Sequence, residues 1–183
     1  MKKFTERHIP EVAHLLVKGG IGVIKTDTLY GIVASATDEN AVERVYAVRK
    51  RDSHKPVILL IADHTQVFDG PQGKLATFAG EHWPGAVSII IPSPSAPLYL
   101  TRGGNTLAYR VPADTELRRL LYLTGPLIAP SANLQGEPPA RTIDQAEAYF
   151  GDAVDFYVDS GEVGDVSPSQ LWHFHNEAMQ QLR

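Results

Sequence analysis

Short apolar runs at residues 21–24, 57–61 and 86–91 alternate with segments whose apolar residues recur at helical spacing. Strands threaded between helices argue an α/β chain built on a mixed sheet. The run 57–61 is continuously apolar, as a strand buried on both faces requires. Ile9, Val12, Leu15 and Leu16 mark a helix closed by Gly19-Gly20, and Asp38 is placed to cap one carrying Val42, Val45 and Tyr46. A helix over 74–81 ends at Trp83-Pro84-Gly85, and Leu117, Leu120 and Leu121 mark another. Further strands are expected at 106–111, 127–129 and 156–158. Thr142 with Gln145 forms a capping-box pattern for a helix stopping at Gly151. Ser167-Pro168-Ser169 reads as a helix start with Pro168 at the first helical position. No repeat or linker interrupts the pattern, so one domain is expected over residues 1–183; 43% hydrophobic and 21% charged residues suit one packed core.

Several chemistries are excluded early. The chain has no cysteine, which removes disulfides, thiolate zinc sites and thiol nucleophiles together. No apolar run reaches membrane-spanning length, and Met1-Lys2-Lys3 leads into charged residues instead of a signal-peptide core. A cytoplasmic protein without membrane contact is expected. Net charge is −4, so any anion site must be a local basic cluster. There is no P-loop and no GxGxxG fingerprint. The histidines are scattered, and His173 and His175 lack carboxylate context, so no metal site is expected on the chain. Trp83 and Trp172 read as core or rim aromatics.

Chemistry concentrates in a few stretches. K-T-D-T-L-Y-G-I at residues 25–32 sets two hydroxyls, a carboxylate, an ammonium and a phenol between two apolar runs. Turn chemistry alone would justify Thr, Asp and Gly, so this stretch leaves a plain connection and a binding turn both open. Arg49, Lys50, Arg51 and Lys55 place four cations within seven residues, between a helix end and a strand. They suit either a solvated helix terminus or a phosphate clamp. Pro130-Ser131-Ala132-Asn133 follows a short strand, where open α/β sheets bind ligands, though an Asx or Ser turn reads the same. Arg110 ends an apolar strand and needs a carboxylate or phosphate partner.

K-T-D-T-L-Y-G-I, R-K-R-x-x-x-K-P, W-P-G-A-V-S, A-Y-R-V-P, A-P-S-A-N-L-Q-G and S-P-S occur in one order along the chain. None is specific alone; together they resemble the YrdC/TsaC family of threonylcarbamoyl-AMP synthases in its compact bacterial form. The resemblance implies a single YrdC-like α/β domain, a twisted mixed sheet flanked by helices around a deep basic cleft. It also implies a nucleotidyltransferase that joins L-threonine, bicarbonate and ATP into threonylcarbamoyl-AMP and pyrophosphate, for threonylcarbamoyladenosine modification of tRNA. ATP is then a substrate, with Mg²⁺ bound through the triphosphate. Downstream threonylcarbamoyl-transfer proteins are the implied partners, with weak tRNA binding a further expectation. Such chemistry needs no protein nucleophile; Arg51, Lys55 and Arg110 would act electrostatically.

By the same resemblance, Thr28, Arg110 and Ser169 match threonine positions, with Thr26 and Tyr30 in the same motif. Arg49, Arg51 and Lys55 match the nucleotide-binding basic motif, and Thr106, Ser131 and Asn133 match further nucleotide contacts. Lys25 and Asp52 stand where the family usually has proline, and Arg49 where it usually has lysine. Gln170 follows Ser169 where many members have threonine. Gln181 falls where members often carry a nucleotide-binding arginine, with Arg183 two residues beyond. Two other readings predict different outcomes. A non-catalytic RNA-binding YrdC-fold protein would bind RNA in a salt-sensitive way without releasing pyrophosphate. A carbamoyl-adenylate enzyme of hydrogenase maturation would be expected to carry accessory zinc-finger and acylphosphatase segments.

Overall fold

Alternation at the centre of the chain decides which face each strand residue meets. The computed structural model describes residues 2–5, 8–175 and 178–183. Strands β2 (Gly22–Lys25) and β3 (Tyr30–Ser35) pair antiparallel through the turn at 26–29, with Lys25 opposite Tyr30. Val23, Ile32 and Ala34 fall in one hydrophobic cluster, whereas Ile24 and Val33 fall in a second. Strand β4 (Ile58–Leu60) divides likewise: Leu59 joins the first cluster and Leu60 the second. The apolar run is therefore covered on both faces, as expected. Each such leucine contributes about 1.5–3 kcal/mol through burial.

Helices supply the outer layers. Helix α1 (Ile9–Val17) and α5 (Thr115–Thr124) cover the second cluster through Val12, Leu16, Leu117 and Leu121. Helices α2 (Glu39–Val48), α3 (Gly73–His82) and α6 (Ile143–Phe150) cover the first. Asp38, Asp114 and Thr142 cap α2, α5 and α6 by accepting from main-chain N–H groups in the first turn. The second half of the expected capping box is not made, because the Gln145 side chain accepts from Arg141 N instead. A one-turn helix, α4 (Leu98–Thr101), follows the Pro- and Ser-rich stretch at residues 92–97.

The remaining strands are β1 (Lys2–Phe4), β5 (Val87–Pro92), β6 (Thr106–Arg110), β7 (Leu127–Ile128), β8 (Phe156–Val158), β9 (Gln170–His175) and β10 (Ala178–Gln181). They form one mixed sheet ordered β1-β8-β2-β3-β7-β4-β6-β5-β9-β10. Gly22 permits close approach of β2 to β8, since a Cβ there would run into the Phe156 ring.

A second expectation fails. Residues 167–169 start no helix: they lead into β9, where Gln170 N donates to Ala86 O and Gln170 pairs with Val87. The Ser169 hydroxyl meets Ser88 instead of capping a helix. Sheet pairing with β5 outweighs the local S-P-S signal. The consequence is topological. Strand β8 lies near one end of the sheet order and β9 near the other, so the connection at 159–169 must cross between them. Pro168 and Ser169 thereby reach the wall of the main cavity. Among the described residues, no helix is long and apolar enough to cross a membrane.

Candidate active site

The turn between β2 and β3 is organised by one hydroxyl. Thr26 Oγ1 donates to Leu29 O at 2.7 Å and accepts from Thr28 N and Leu29 N, each at 3.2 Å. Thr28 Oγ1 lies 3.2 Å from Thr26 Oγ1. Both hydroxyls therefore face the end of β6. From there the Arg110 Nη1 donates to Thr28 Oγ1 at 3.1 Å, and Nη2 reaches Thr26 Oγ1 at 3.5 Å. Asp27 supplies the countercharge, 3.0 Å from Nη2, with side chains only 6% and 7% exposed for Arg110 and Asp27. Asp27 is itself fixed, accepting from Ala113 N at 3.1 Å. Burial pushes the Arg110 guanidinium below its ordinary value, Asp27 opposes that shift, and Arg183 adds to it. Its Nε has no hydrogen-bond partner among the described residues.

The Tyr30 hydroxyl is used locally, accepting from Ser160 N and donating to Gly161 O. Lys25 Nζ donates to Ser160 O and Glu162 O. Lys25 thus ties the crossing connection to the turn.

A second group of cations is aimed by the end of α2. Arg51 N donates to Tyr46 O and Lys50 N to Ala47 O, with Lys50 left-handed at φ 51°. This is a Schellman closure. It turns Arg49 inward: Nε and Nη2 donate to Asn133 O and Asn133 Oδ1, both at 3.0 Å, and Nη2 lies 3.4 Å from Ser131 Oγ. Arg49 is buried, Nη1 has no hydrogen-bond partner among the described residues, and burial with Arg51 nearby pushes its pKa down to about 10. It remains a cation at neutral pH. Arg51 donates from Nε to Lys55 O and from Nη2 to Pro56 O. Asp52 builds its own turn, accepting from His54 N.

These pieces meet around one cavity of about 530 Å³. Of the residues singled out in the sequence, Thr26, Thr28, Tyr30, Arg49, Arg51, Thr106, Arg110, Ser131 and Ser169 line it. Two stand outside the wall. Asn133 lies behind Arg49 as its acceptor. The Lys55 ammonium is 66% exposed and 3.6 Å from Asp52. Ser131 reaches the cavity because residues 130–132 run against the start of β3, with Ile32 N donating to Pro130 O and Ala132 N to Tyr30 O.

Three supports carried no assigned role in the sequence reading. Asp27 was visible as the carboxylate of the first motif, but nothing local said it would pair with Arg110, 83 positions away. Ser88 is fully buried with its hydroxyl 3.0 Å from that of Ser169. Arg183, not Gln181, reaches the wall, and its Nε and Nη2 donate to Ser169 O. Trp83 is half-buried with its ring N–H on Val87 O, and Trp172 packs against Phe78.

A sequence model of the Sua5/YciO/YrdC family, described as "Telomere recombination", matches residues 14–183. The threonylcarbamoyl-AMP synthase of Idiomarina loihiensis is 33% identical over 170 residues, covering 88% of this chain and 90% of that protein. Its counterpart in Pyrococcus abyssi is 32% identical over 168 residues, covering 88% of this chain but only 49% of the longer relative. In three dimensions, P. abyssi Sua5 complexed with L-threonine superposes with a TM-score of 0.89 at 28% identity, covering 100% of this chain and 56% of that one. The motifs in order, the mixed ten-stranded sheet and these matches agree: the chain belongs to the Sua5/YciO/YrdC family.

Proposed function

We propose that this chain is a threonylcarbamoyl-AMP synthase, converting L-threonine, bicarbonate and ATP into threonylcarbamoyl-AMP and pyrophosphate. The observation that carries the reading is the division of one cavity into two arginine-bearing ends, one balanced by a carboxylate and one left positive. At one, Arg110 sits among hydroxyls beside Asp27, with Nε unpartnered among the described residues; at the other, Arg49 and Arg51 share the wall with Ser131. Support also comes from relatives bearing that name and from the threonine complex of P. abyssi Sua5.

In this scheme Arg110 pairs with the threonine carboxylate, and Thr26, Thr28, Tyr30 and Ser169 shape the surrounding pocket. Arg49, Arg51 and Lys55 receive the triphosphate, while Thr106, Ser131 and Asn133 serve the nucleotide end. The threonine amine attacks the bicarbonate carbon, water leaves, and a carbamate forms. A carbamate oxygen then attacks the α-phosphorus; the bond to the β-phosphate oxygen breaks and pyrophosphate departs. Arg51 and Arg49 offset charge on the phosphates, so the chain contributes position and electrostatics and forms no covalent intermediate. Among the described residues no cluster of three or more His, Asp or Glu could cage a metal. A Mg²⁺ ion would therefore ride on the triphosphate oxygens, screening their charge.

The product serves tRNA threonylcarbamoyladenosine formation in the cytoplasm, with separate proteins carrying out the transfer and any direct tRNA contact weak. Pyrophosphate release, measured with threonine, bicarbonate and ATP and with each omitted in turn, tests the reading. Release should require all three. Release without threonine, or salt-sensitive RNA binding with no release at all, would overturn it.

A further inference from the structure

Arg102 lies outside the cavity wall, yet it is held under unfavourable conditions. It closes α4 in the left-handed conformation, φ 55°, which glycine adopts freely and a side chain resists. Its side chain is only 9% exposed, and Nε and Nη2 have no hydrogen-bond partner among the described residues. One contact anchors it: Nη1 donates to Glu43 Oε1 at 2.6 Å. Its guanidinium carbon then stands 3.7 Å from the centre of the Tyr46 ring.

Tyr46 leads directly to the phosphate end. Its hydroxyl donates to Lys55 O at 2.9 Å, the same carbonyl that accepts from Arg51 Nε. The Arg51 guanidinium carbon is itself 6.0 Å from that ring. We propose that Arg102, anchored by Glu43 and stacked on Tyr46, is a positioning residue for the triphosphate, fixing the loop that carries Arg51 and Lys55 through the tyrosine. Glycine would hold this backbone position at lower cost, as Gly103 does at φ 86° next to it. Two buried donors without partners among the described residues argue the same way, because they disfavour burial of the side chain. The inference rests on the reading of the Arg49–Arg51 end as the triphosphate site.

The test uses the full chain and the variants Arg102→Gly, Arg102→Lys and Tyr46→Phe. Calorimetry gives Kd for Mg²⁺–ATP and for L-threonine, and thermal melts give midpoints. Arg102→Gly should weaken ATP binding about five- to tenfold, less than the roughly thirtyfold that a desolvated cation–π contact represents, because Arg102 acts through Tyr46. Threonine affinity should stay within about twofold, and the midpoint should hold or rise as the backbone relaxes. Arg102→Lys, which keeps a cation near the ring, should lose less. Tyr46→Phe keeps the stack but removes the tyrosine's hold on the Lys55 carbonyl, leaving only Arg51 on it, so ATP binding should weaken again. Unchanged ATP affinity in Arg102→Gly overturns the proposal, as does an equal fall for both ligands. If Arg102→Gly fails to fold, Tyr46→Phe decides: unchanged ATP affinity there overturns it. Wild-type protein that binds no ATP refutes the functional reading itself, whereas wild-type binding matched by Arg102→Gly refutes this inference alone.

Discussion

Arg110 and Arg49 are both buried in one cavity, at 5% and 3% exposure, yet they are neutralised differently. Arg110 faces a carboxylate, Asp27, across 3.0 Å. Among the described residues, Arg49 donates only to neutral groups, the Asn133 side chain and carbonyl and the Ser131 hydroxyl, with Arg51 nearby. One end of the site is thus charge-balanced and the other is left positive. That difference matches the proposed substrates: threonine arrives as a zwitterion with no net charge, and ATP arrives as a polyanion. A buried cation without a countercharge is unfavourable in the free protein and becomes favourable once phosphate is supplied.

The largest effect should follow from breaking the balanced end. Arg110→Ala should reduce threonine-dependent pyrophosphate release to background while ATP binding holds within about twofold. It also strands Asp27 in a dry setting, so it should destabilise the fold by about 3–5 kcal/mol. Adding Asp27→Asn should recover most of that stability and none of the activity. Arg49→Ala leaves only neutral groups unpaired, so about 1–3 kcal/mol is expected. Denaturant unfolding of the four proteins checks the order. Equal losses for Arg49→Ala and Arg110→Ala would erase the contrast.

At the positive end, Arg51→Ala should weaken ATP binding by roughly tenfold to a hundredfold, the range for one charge-assisted hydrogen bond of about 1.5–3 kcal/mol. Threonine affinity should change little. Arg49 adds a pH signature. Its folded-state pKa is lowered to about 10, so above that pH the folded chain binds fewer protons there than the unfolded one. The Arg49 contribution to stability therefore rises with pH above about 10, while its attraction for phosphate disappears. ATP affinity measured from pH 7 to 9 should lack any step from Arg49, since it stays protonated throughout.

Smaller effects separate amino acids at the balanced end. Threonine's hydroxyl would meet Thr26, Thr28 or Ser169, so valine leaves a buried polar group unpaired at about 1–3 kcal/mol. Serine keeps the hydroxyl and loses one methyl, about 1 kcal/mol or several-fold. The order of kcat/KM should be threonine, then serine, then valine, at fixed ATP and bicarbonate. Valine equal to threonine would remove this end from threonine recognition.

The local pattern carried much of the fold and only part of the site. Short apolar runs located β2 through β8, because those strands are largely buried and their composition records it. It missed β1, β9 and β10, where half-exposed and exposed residues leave little periodicity, and it read S-P-S as a helix start. Motif chemistry singled out Arg49, Arg51 and Arg110, since cations beside apolar strands require an explanation. It could not pair Arg110 with Asp27 or Ser169 with Ser88, because those contacts are made by sheet order and not by sequence proximity. Lys55 and Asn133 show the remaining limit: a motif gives residue type, but which side chain faces the cavity depends on the turn between them.

That turn supplies the smallest prediction, and it separates the two ends by how each is held. The balanced end is aimed by an ion pair; the positive end is aimed by backbone, through Lys50 at φ 51° between Arg49 and Arg51. Lys50 is exposed, and the Schellman bonds around it are main-chain bonds that glycine would make equally well. A side chain in the left-handed region costs about 1–2 kcal/mol. Glycine returns roughly 0.5–1 kcal/mol of that through its freer unfolded chain. Lys50→Gly should therefore stabilise the protein by about 0.5–1 kcal/mol, a rise of roughly 1–4 °C in Tm for a chain of this size. ATP affinity should fall only slightly, by the screened attraction of one exposed ammonium. A lowered Tm would mean that the Lys50 side chain itself holds the turn. A large loss of ATP affinity with Tm raised would instead make Lys50 a phosphate ligand in its own right, and the positive end would then be aimed by charge as well as by backbone.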